Sequence, residues 1–287
     1  MTSDLIFDVG MNNGDDTAYY LFKGFRVVAI EADPTLVERA RERFAEPISQ
    51  GRLELVNVAI GPREETAPFW ICESKSEWNS FDRRIASRDG LACHAIEVRC
   101  RRFRGLLEQY GVPYYLKIDI EGHDGYCVAD LDPRDLPRYL SLEMASVDSL
   151  WALRDLGYKS YKLITQNDHS QLSVDPFSLK ALVKRQLLPY PALYRFSRAL
   201  ARVVGRRPLR FASVRTNHHG PETTNGRPWK FSLGSSGPFG EETSGRWRTV
   251  EDTAYTWITY QLGRTSYGPP GLSIWHDVHA RSAEASH

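Results

Sequence analysis

At 287 residues, with 41% hydrophobic and 25% charged side chains, the chain has the composition of an ordinary globular protein, which excludes a disordered or fibrous class. Its formal net charge of +1 selects no partner, although that average hides a stretch from Pro176 to His219 with ten Lys or Arg residues and no Asp or Glu. No apolar run approaches the roughly 18 residues that suggest a membrane span, and Leu5-Ile6-Phe7 meets Asp8 at once, so no signal-peptide core and a cytoplasmic location are expected.

Through residue 165, short apolar runs alternate with amphipathic segments, the pattern of a mainly parallel sheet with crossover helices. Strands are predicted at Leu5–Val9, Arg26–Ile30, Leu53–Ala59, Tyr114–Ile118, Tyr139–Leu142 and Lys159–Ile164, and helices at Asp15–Lys23, Pro34–Ala45 and Ser146–Leu156. Pro34 suits a first helical turn after a cap at Asp33. Two extra β segments, Pro68–Cys72 and Ala95–Arg99, precede the fourth main strand. Cys72, Cys93, Cys100 and Cys127 show no CxxC spacing and read as buried free thiols.

Beyond Gln166 the character changes. Phe177–Val204 carries apolar residues at helix-like spacing, broken by Pro189 and Pro191, which predicts two short basic amphipathic helices. From Asn217 to Gly271 the mixture of Gly, Ser, Thr and Pro with Trp and Tyr predicts long ordered loops. Within it, Phe231–Gly240 is too rich in glycine for a core and reads either as an acceptor loop or lid, with Trp229, Phe239 and Trp247 as flat apolar faces on which sugar rings stack, or as an ordered surface excursion. Leu272–His279 reads as a late strand. The expected division is a core of residues 1–165, a basic helical and Gly/aromatic-rich acceptor-lid region of 166–271, and a final strand and tail of 272–287.

The first strand runs into Gly10-Met11-Asn12-Asn13-Gly14-Asp15-Asp16-Thr17 and then a helix, so backbone amides and a helix N-terminus meet a ligand at a strand's carboxyl end. Asn12 stands where a dinucleotide fingerprint needs glycine, which disfavours a pyrophosphate. Asp8, Asp15 and Asp16 suit the ammonium and sulfonium of S-adenosylmethionine and would repel phosphates. Glu31 ends the second strand, where an acidic side chain can accept both ribose hydroxyls.

The segments Ile6–Thr17, Val28–Pro34, Asn57–Gly61, Asn79-Ser80 and Leu116–Gly122 together resemble the FkbM-type methyltransferases, in order and with family-like spacing, over roughly Asp4 to Ile164. The resemblance implies S-adenosylmethionine as cofactor and O-methylation as activity, many members acting on sugar hydroxyls of natural products or polysaccharides. It also implies that Asp8, Gly10, Glu31, Asn57, Ala59, Ser80 and Asp119 surround the cofactor. Met11, Asn12, Asn13, Gly14, Thr17 and Ala32, in the same two motifs, complete the expected contacts. The expected fold is a Rossmann-like α/β class I methyltransferase sheet of seven strands, the last antiparallel, with a long C-terminal insertion or lid. The region after Gln166 is longer than in a minimal member, which leaves the acceptor open.

Methyl transfer to a hydroxyl needs the acceptor oxygen held about 3 Å from the methyl and its proton removed. Lys117-Ile-Asp119-Ile-Glu121-Gly-His123-Asp124 gathers ionisable groups at the carboxyl end of the fourth strand. In an extended strand Asp119 and Glu121 share one face, His123 follows a glycine turn, and Glu143 ends the next strand. Asp119, His123 and Glu143 are the candidate catalytic groups. Asp119, Glu121 and Glu143 could alternatively hold Mg²⁺. Bland roles stand beside these: Asp119 as a cofactor contact only, Glu121 paired with Lys117 or Arg26, His123 as a turn residue. The basic stretch 176–219 reads as a helical cap or as a peripheral contact with a membrane-linked acceptor, and no nucleic-acid partner is expected, since its aromatics form no stacking platform. The reading is methyl transfer to a small-molecule or glycan acceptor. The rivals are an NAD- or nucleotide-sugar-dependent oxidoreductase and a non-catalytic cofactor-binding or membrane-docking module.

Overall fold

A computed structural model describes residues 4–174, 214–217, 223–224, 227–232, 234–267 and 275–283. The chain forms two units, Met1–Glu143 with Pro221–Ser236, and Met144–Gly220 with Gly237–His287. The sequence boundary at residue 165 thus falls inside the second unit, and the helices expected over 177–204 lie outside the described residues.

In chain order the first unit comprises β1 (Leu5–Val9), α1 (Asp15–Phe22), β2 (Arg26–Glu31), α2 (Pro34–Arg43), α3 (Ala45–Ser49), β3 (Leu53–Asn57), β4 (Ala59–Ile60), β5 (Glu65–Cys72), α4 (Arg83–Ala86), β6 (Cys93–Arg101), α5 (Phe103–Tyr110), β7 (Tyr115–Ile118), α6 (Asp124–Ala129) and β8 (Tyr139–Glu143). The parallel sheet runs β8-β7-β1-β2-β3. All of β1 and β7 is buried, as parallel strands covered on both faces must be. Their two charged residues, Asp8 and Lys117, are register partners. The Asp33 carboxylate accepts the Thr35 N–H at 2.8 Å with Pro34 behind it, so α2 starts where its sequence predicts.

The single strand expected over Leu53–Ala59 is two. The chain breaks at Val58, and β4 leaves the parallel sheet for a three-stranded one in the order β4-β6-β5. The two extra β segments are the arms of its hairpin, paired from Glu65↔Cys100 to Cys72↔Cys93 and longer than their apolar centres suggested. Its core is Ala59, Phe69, Val98 and Cys100. The sequence reading also placed no helix at α5 or α6.

The second unit contains α7 (Val147–Leu156), β9 (Tyr158–Thr165), β10 (Gln171–Val174) and β11 (Val214–Asn217); after the short β12 (Thr223–Thr224) and β13 (Arg227–Pro228) of the first unit come α8 (Val250–Tyr267) and β14 (His276–Ser282). α7 is capped at both ends: the Ser146 hydroxyl accepts the Asp148 N–H, and Gly157 closes it in the left-handed conformation. β14 runs antiparallel to β9 from His276↔Thr165 onward, the orientation expected of the last strand, although it begins at His276 rather than Leu272. The fold class is α/β, with a mainly parallel central sheet and an antiparallel closing strand.

Two expectations for the C-terminal region are corrected. Residues 250–267 form a helix, not loop: Val250, Ala254, Tyr255, Trp257 and Ile258 are buried at helical spacing, and the Thr249 hydroxyl accepts the Asp252 N–H. Residues 235–240 are buried despite their glycines. Among the described residues no helix is long and apolar enough to cross a membrane, and all four cysteines are free, with Cys93 only partly buried.

The turn that follows β1 depends on Gly10. At φ +80, a Cβ there would lie 1.8 Å from the Asp119 carbonyl oxygen at the end of β7. Gly10→Ala is therefore expected to lower stability by about 3 kcal/mol or more, since both the backbone conformation and the close approach oppose a methyl group. A thermal melt within a few degrees of wild type would show that the two strand ends can part at little cost.

Candidate active site

Lys117 is buried to 3% side-chain exposure, and its ammonium donates to the Gly10 carbonyl at 2.8 Å. It lies 3.2 Å from Asp8, 3.8 Å from Asp119 and 3.9 Å from Asp16. Burial opposes its charge, but the three carboxylates outweigh that cost and raise its pKa. Asp8 is fully buried, and burial raises its pKa against the pull of Lys117; its second oxygen accepts the Thr17 hydroxyl at 2.6 Å. Asp16 accepts the Ser235 hydroxyl at 2.5 Å and the Ser236 N–H at 3.2 Å. Asp119, 30% exposed where Asp8 and Asp16 are 0% and 8%, is the accessible member. One cation against three carboxylates leaves a negative centre at the mouth of the β1–α1 loop.

The loop itself is tied to β2. Gly10 and Met11 N–H groups donate to the Ile30 carbonyl, and Asn12, at φ 52, donates its N–H to Glu31 Oε2 at 2.8 Å. Glu31 Oε1 accepts the Asp33 N–H at 2.9 Å. Burial raises the Glu31 pKa, while these two N–H groups favour its charge. The Asn57 amide donates to the Glu31 and Ala32 carbonyls, fixing the exit of β2 from the neighbouring strand. Asn13 bonds Asp15 in both directions and offers its carbonyl to Arg43. Gly14, at φ +80, begins α1.

The turn after β7 departs from the extended path expected of it. The strand stops at Ile118, and Glu121 sits at φ 44, so Asp119 and Glu121 do not share a strand face. Glu121 pairs with Arg88 at 2.7 Å rather than with Lys117 or Arg26, and burial pushes its pKa up to about 7. Asp124, pushed up to about 6 by burial, accepts the Ile120 N–H. His123 precedes α6 with its ring against Phe81 and Tyr126, and burial lowers its pKa against the opposing pull of the Glu121 backbone and Asp82. Glu143 follows Leu142, the register partner of Ile118, which makes it the strand-end neighbour of Asp119.

The proposed Mg²⁺ ligands Asp119, Glu121 and Glu143 are not assembled: among the described residues no group of three His, Cys, Asp or Glu side chains is placed to hold a metal ion. The physical reason is that Glu121 turns away to Arg88. The expected sugar-stacking faces are also occupied. Trp229 packs on Tyr19 and Phe22, Phe239 is buried, and Trp247 lies under Lys162 and Arg281 with its N–H on Glu241. Of the other expected cofactor residues, Ala59 packs in the small sheet's core and the Ser80 hydroxyl donates to the Glu121 carbonyl.

The methyltransferase FkbM domain matches residues 8–159, more than half of the chain. The chain belongs to this methyltransferase family. Among solved structures, precorrin-6y C5,15-methyltransferase from Geobacter metallireducens GS-15 is similar at 16% identity over 58% of this chain and 71% of that one, with a TM-score of 0.32. The glycopeptide N-methyltransferase MtfA, complexed with S-adenosyl-L-homocysteine, is similar at 12% identity over 99% of this chain and 84% of that one, with a TM-score of 0.29. No curated protein matches.

This FkbM methyltransferase draws its methyl group from S-adenosylmethionine, and the residues at the ends of β1, β2 and β7 fit that cofactor. Each Glu31 oxygen takes one backbone N–H and keeps a lone pair, so with the cofactor bound Glu31 would be able to accept the two ribose hydroxyls. The negative centre around Lys117 suits a sulfonium with its ammonium. Sequence reasoning missed the centre's key residue, although a lysine between Leu116 and Ile118 in an otherwise apolar strand was the available sign.

Two predictions follow from this geometry. Lys117→Met should cost roughly 3–5 kcal/mol in chemical denaturation, because buried carboxylates lose their counter-ion, and adding Asp8→Asn should restore part of the loss. A single variant as stable as wild type would show that water already screens the cluster. Glu31→Ala should weaken cofactor affinity by roughly 1–3 kcal/mol in calorimetry, as two hydroxyls lose a charged acceptor; unchanged affinity would remove Glu31 from the site.

Proposed function

We propose that this methyltransferase transfers the methyl group to a hydroxyl, of a sugar in a glycan, polysaccharide or natural product, in the cytoplasm. The observation that supports oxygen as the acceptor is the Asp119 carboxylate, exposed on one side and held beside the Gly10 loop by Lys117. When bound, the cofactor supplies a methyl group on a positive sulfur. The chain's residues must then orient an acceptor oxygen and take up its proton as the new C–O bond forms and the C–S bond breaks. In this reading Asp119, the accessible carboxylate of the Lys117 cluster, takes that proton, and Lys117 offsets the charge that a free carboxylate would otherwise concentrate there. His123 is the second candidate base, since burial keeps it neutral and able to accept a proton. Glu143, at the end of β8, is the third group in this reading, with the role of orienting the acceptor. The sugar is supported by the likeness to the family's motifs alone.

Glycans and secondary metabolites from cells with and without the protein should differ by about 14 Da, the mass of the added CH₂, in one component. With that acceptor in hand, Asp119→Asn should lower kcat by roughly 10²–10⁴ and shift the pH profile. Retained activity in Asp119→Asn with loss in His123→Ala would move the base to His123. Methylation found on nitrogen in the product would overturn the hydroxyl reading.

A further inference from the structure

The connection between the arms of the β5–β6 hairpin, residues 73–92, belongs to no part of the parallel sheet, yet it reaches both walls of the site. Toward the β1 and β2 loops, the Ser76 hydroxyl donates to the Asn12 side-chain oxygen at 2.6 Å, and the Asn79 amide donates to Asp33 at 3.2 Å. Toward the β7 turn, Arg88 pairs with Glu121 at 2.7 Å and the Ser80 hydroxyl donates to the Glu121 carbonyl at 3.0 Å. The ring of Phe81 lies 5.1 Å from that of His123, and Ile85 closes on Gly122. The Arg88 guanidinium is itself steadied over the ring of buried Trp78, at 5.6 Å.

Glu121 is the point on which these contacts converge. Its φ of 44 is a conformation that a residue with a side chain adopts at a cost, and it persists where surrounding contacts over-determine it. Its side chain is only 12% exposed while that of Arg88 is 35% exposed, so the Glu121 end of the pair is shielded and the Arg88 end meets solvent. The charged groups that act on it are Arg88, which draws it toward ionisation, and Asp119 and Asp124, which oppose that. Asp119 lies two residues away on the same short turn, so the backbone that Arg88 and Ser80 pin is the backbone that aims the Asp119 carboxylate.

We propose that the inserted hairpin is a working part of the cofactor site: the Arg88–Glu121 ion pair positions the β7 turn, and with it Asp119, for S-adenosylmethionine. Arg88 and Glu121 are then positioning residues that act through Asp119. This rests on the reading that Asp119 borders the cofactor.

The test measures S-adenosylhomocysteine binding by calorimetry and thermal melting in parallel, on the full chain and its variants. Arg88→Ala is expected to weaken binding about tenfold, the loss of one charge-assisted contact, with a melting temperature near wild type. Arg88→Lys should recover most of the affinity, because it keeps a cation within reach of Glu121. Glu121→Gly relieves the backbone strain but removes the carboxylate; it should match Arg88→Ala, which separates the pairing from the backbone conformation. The double variant Arg88→Ala with Glu121→Gly should bind no more weakly than the worse single one, as two ends of one interaction must. Wild-type affinity in Arg88→Ala, additive losses in the double variant, or wild-type affinity in Glu121→Gly would each overturn the proposal. Failure of the wild-type chain to bind S-adenosylhomocysteine would overturn the cofactor reading beneath it, a result distinct from any of these.

Discussion

A single buried ammonium organises the site. Lys117 stands in the middle of a parallel sheet, beside Asp8 by strand register, with no exposed path for its charge. Removing an ion from water costs several kcal/mol, and only well-placed counter-charges and hydrogen bonds offset that. Here Asp8, Asp16, Asp119 and the Gly10 carbonyl supply them. These partners come from β1, the following loop, α1 and the end of β7, so satisfying one charge brings those four parts of the chain together. The requirement that Gly10 lie against the Asp119 carbonyl belongs to the same constraint, since the ammonium reaches the Gly10 oxygen only if the two strand ends are close.

The arrangement also explains a division of labour among carboxylates. Asp8 faces Lys117 and Thr17, and Asp16 anchors Ser235 and Ser236. Their charge still shapes the field at the loop, because a low-dielectric surrounding screens it poorly. Asp119 is the member of the cluster that solvent reaches, at 30% exposure. The hairpin between β4 and α5 then closes the ring by hydrogen-bonding to Asn12 and Asp33 on one side and to Glu121 on the other.

Much of this was legible in the residue order. Apolar runs bounded by turn residues located β1, β2, β7 and β8, since parallel strands buried on both faces have no other pattern available. Asp33-Pro34 and Ser146 marked helix starts through local hydrogen bonds that need no tertiary partner. The helix over 250–267 escaped because its aromatic residues and threonines were weighed by composition, while the period of Val250, Ala254, Trp257 and Ile258 and the cap at Thr249 were there to be counted. Residues 235–240 misled for the converse reason: glycine is scarce in cores on average, yet the Ser235 hydroxyl and the Ser236 amide give this segment a buried partner in Asp16, far away in sequence.

The sequence by itself determined the α/β class, the family, the glycine turn after β1 and the acid that ends β2, because each rests on short-range pattern or on contiguous motifs. Tertiary structure alone decided which carboxylates face one another. An extended reading of residues 117–121 placed Asp119 and Glu121 side by side; the positive φ at Glu121 sends its carboxylate to Arg88, 33 residues earlier in the chain. That choice depends on a long-range ion pair and a strained backbone, neither of which leaves a period or a spacing in the sequence.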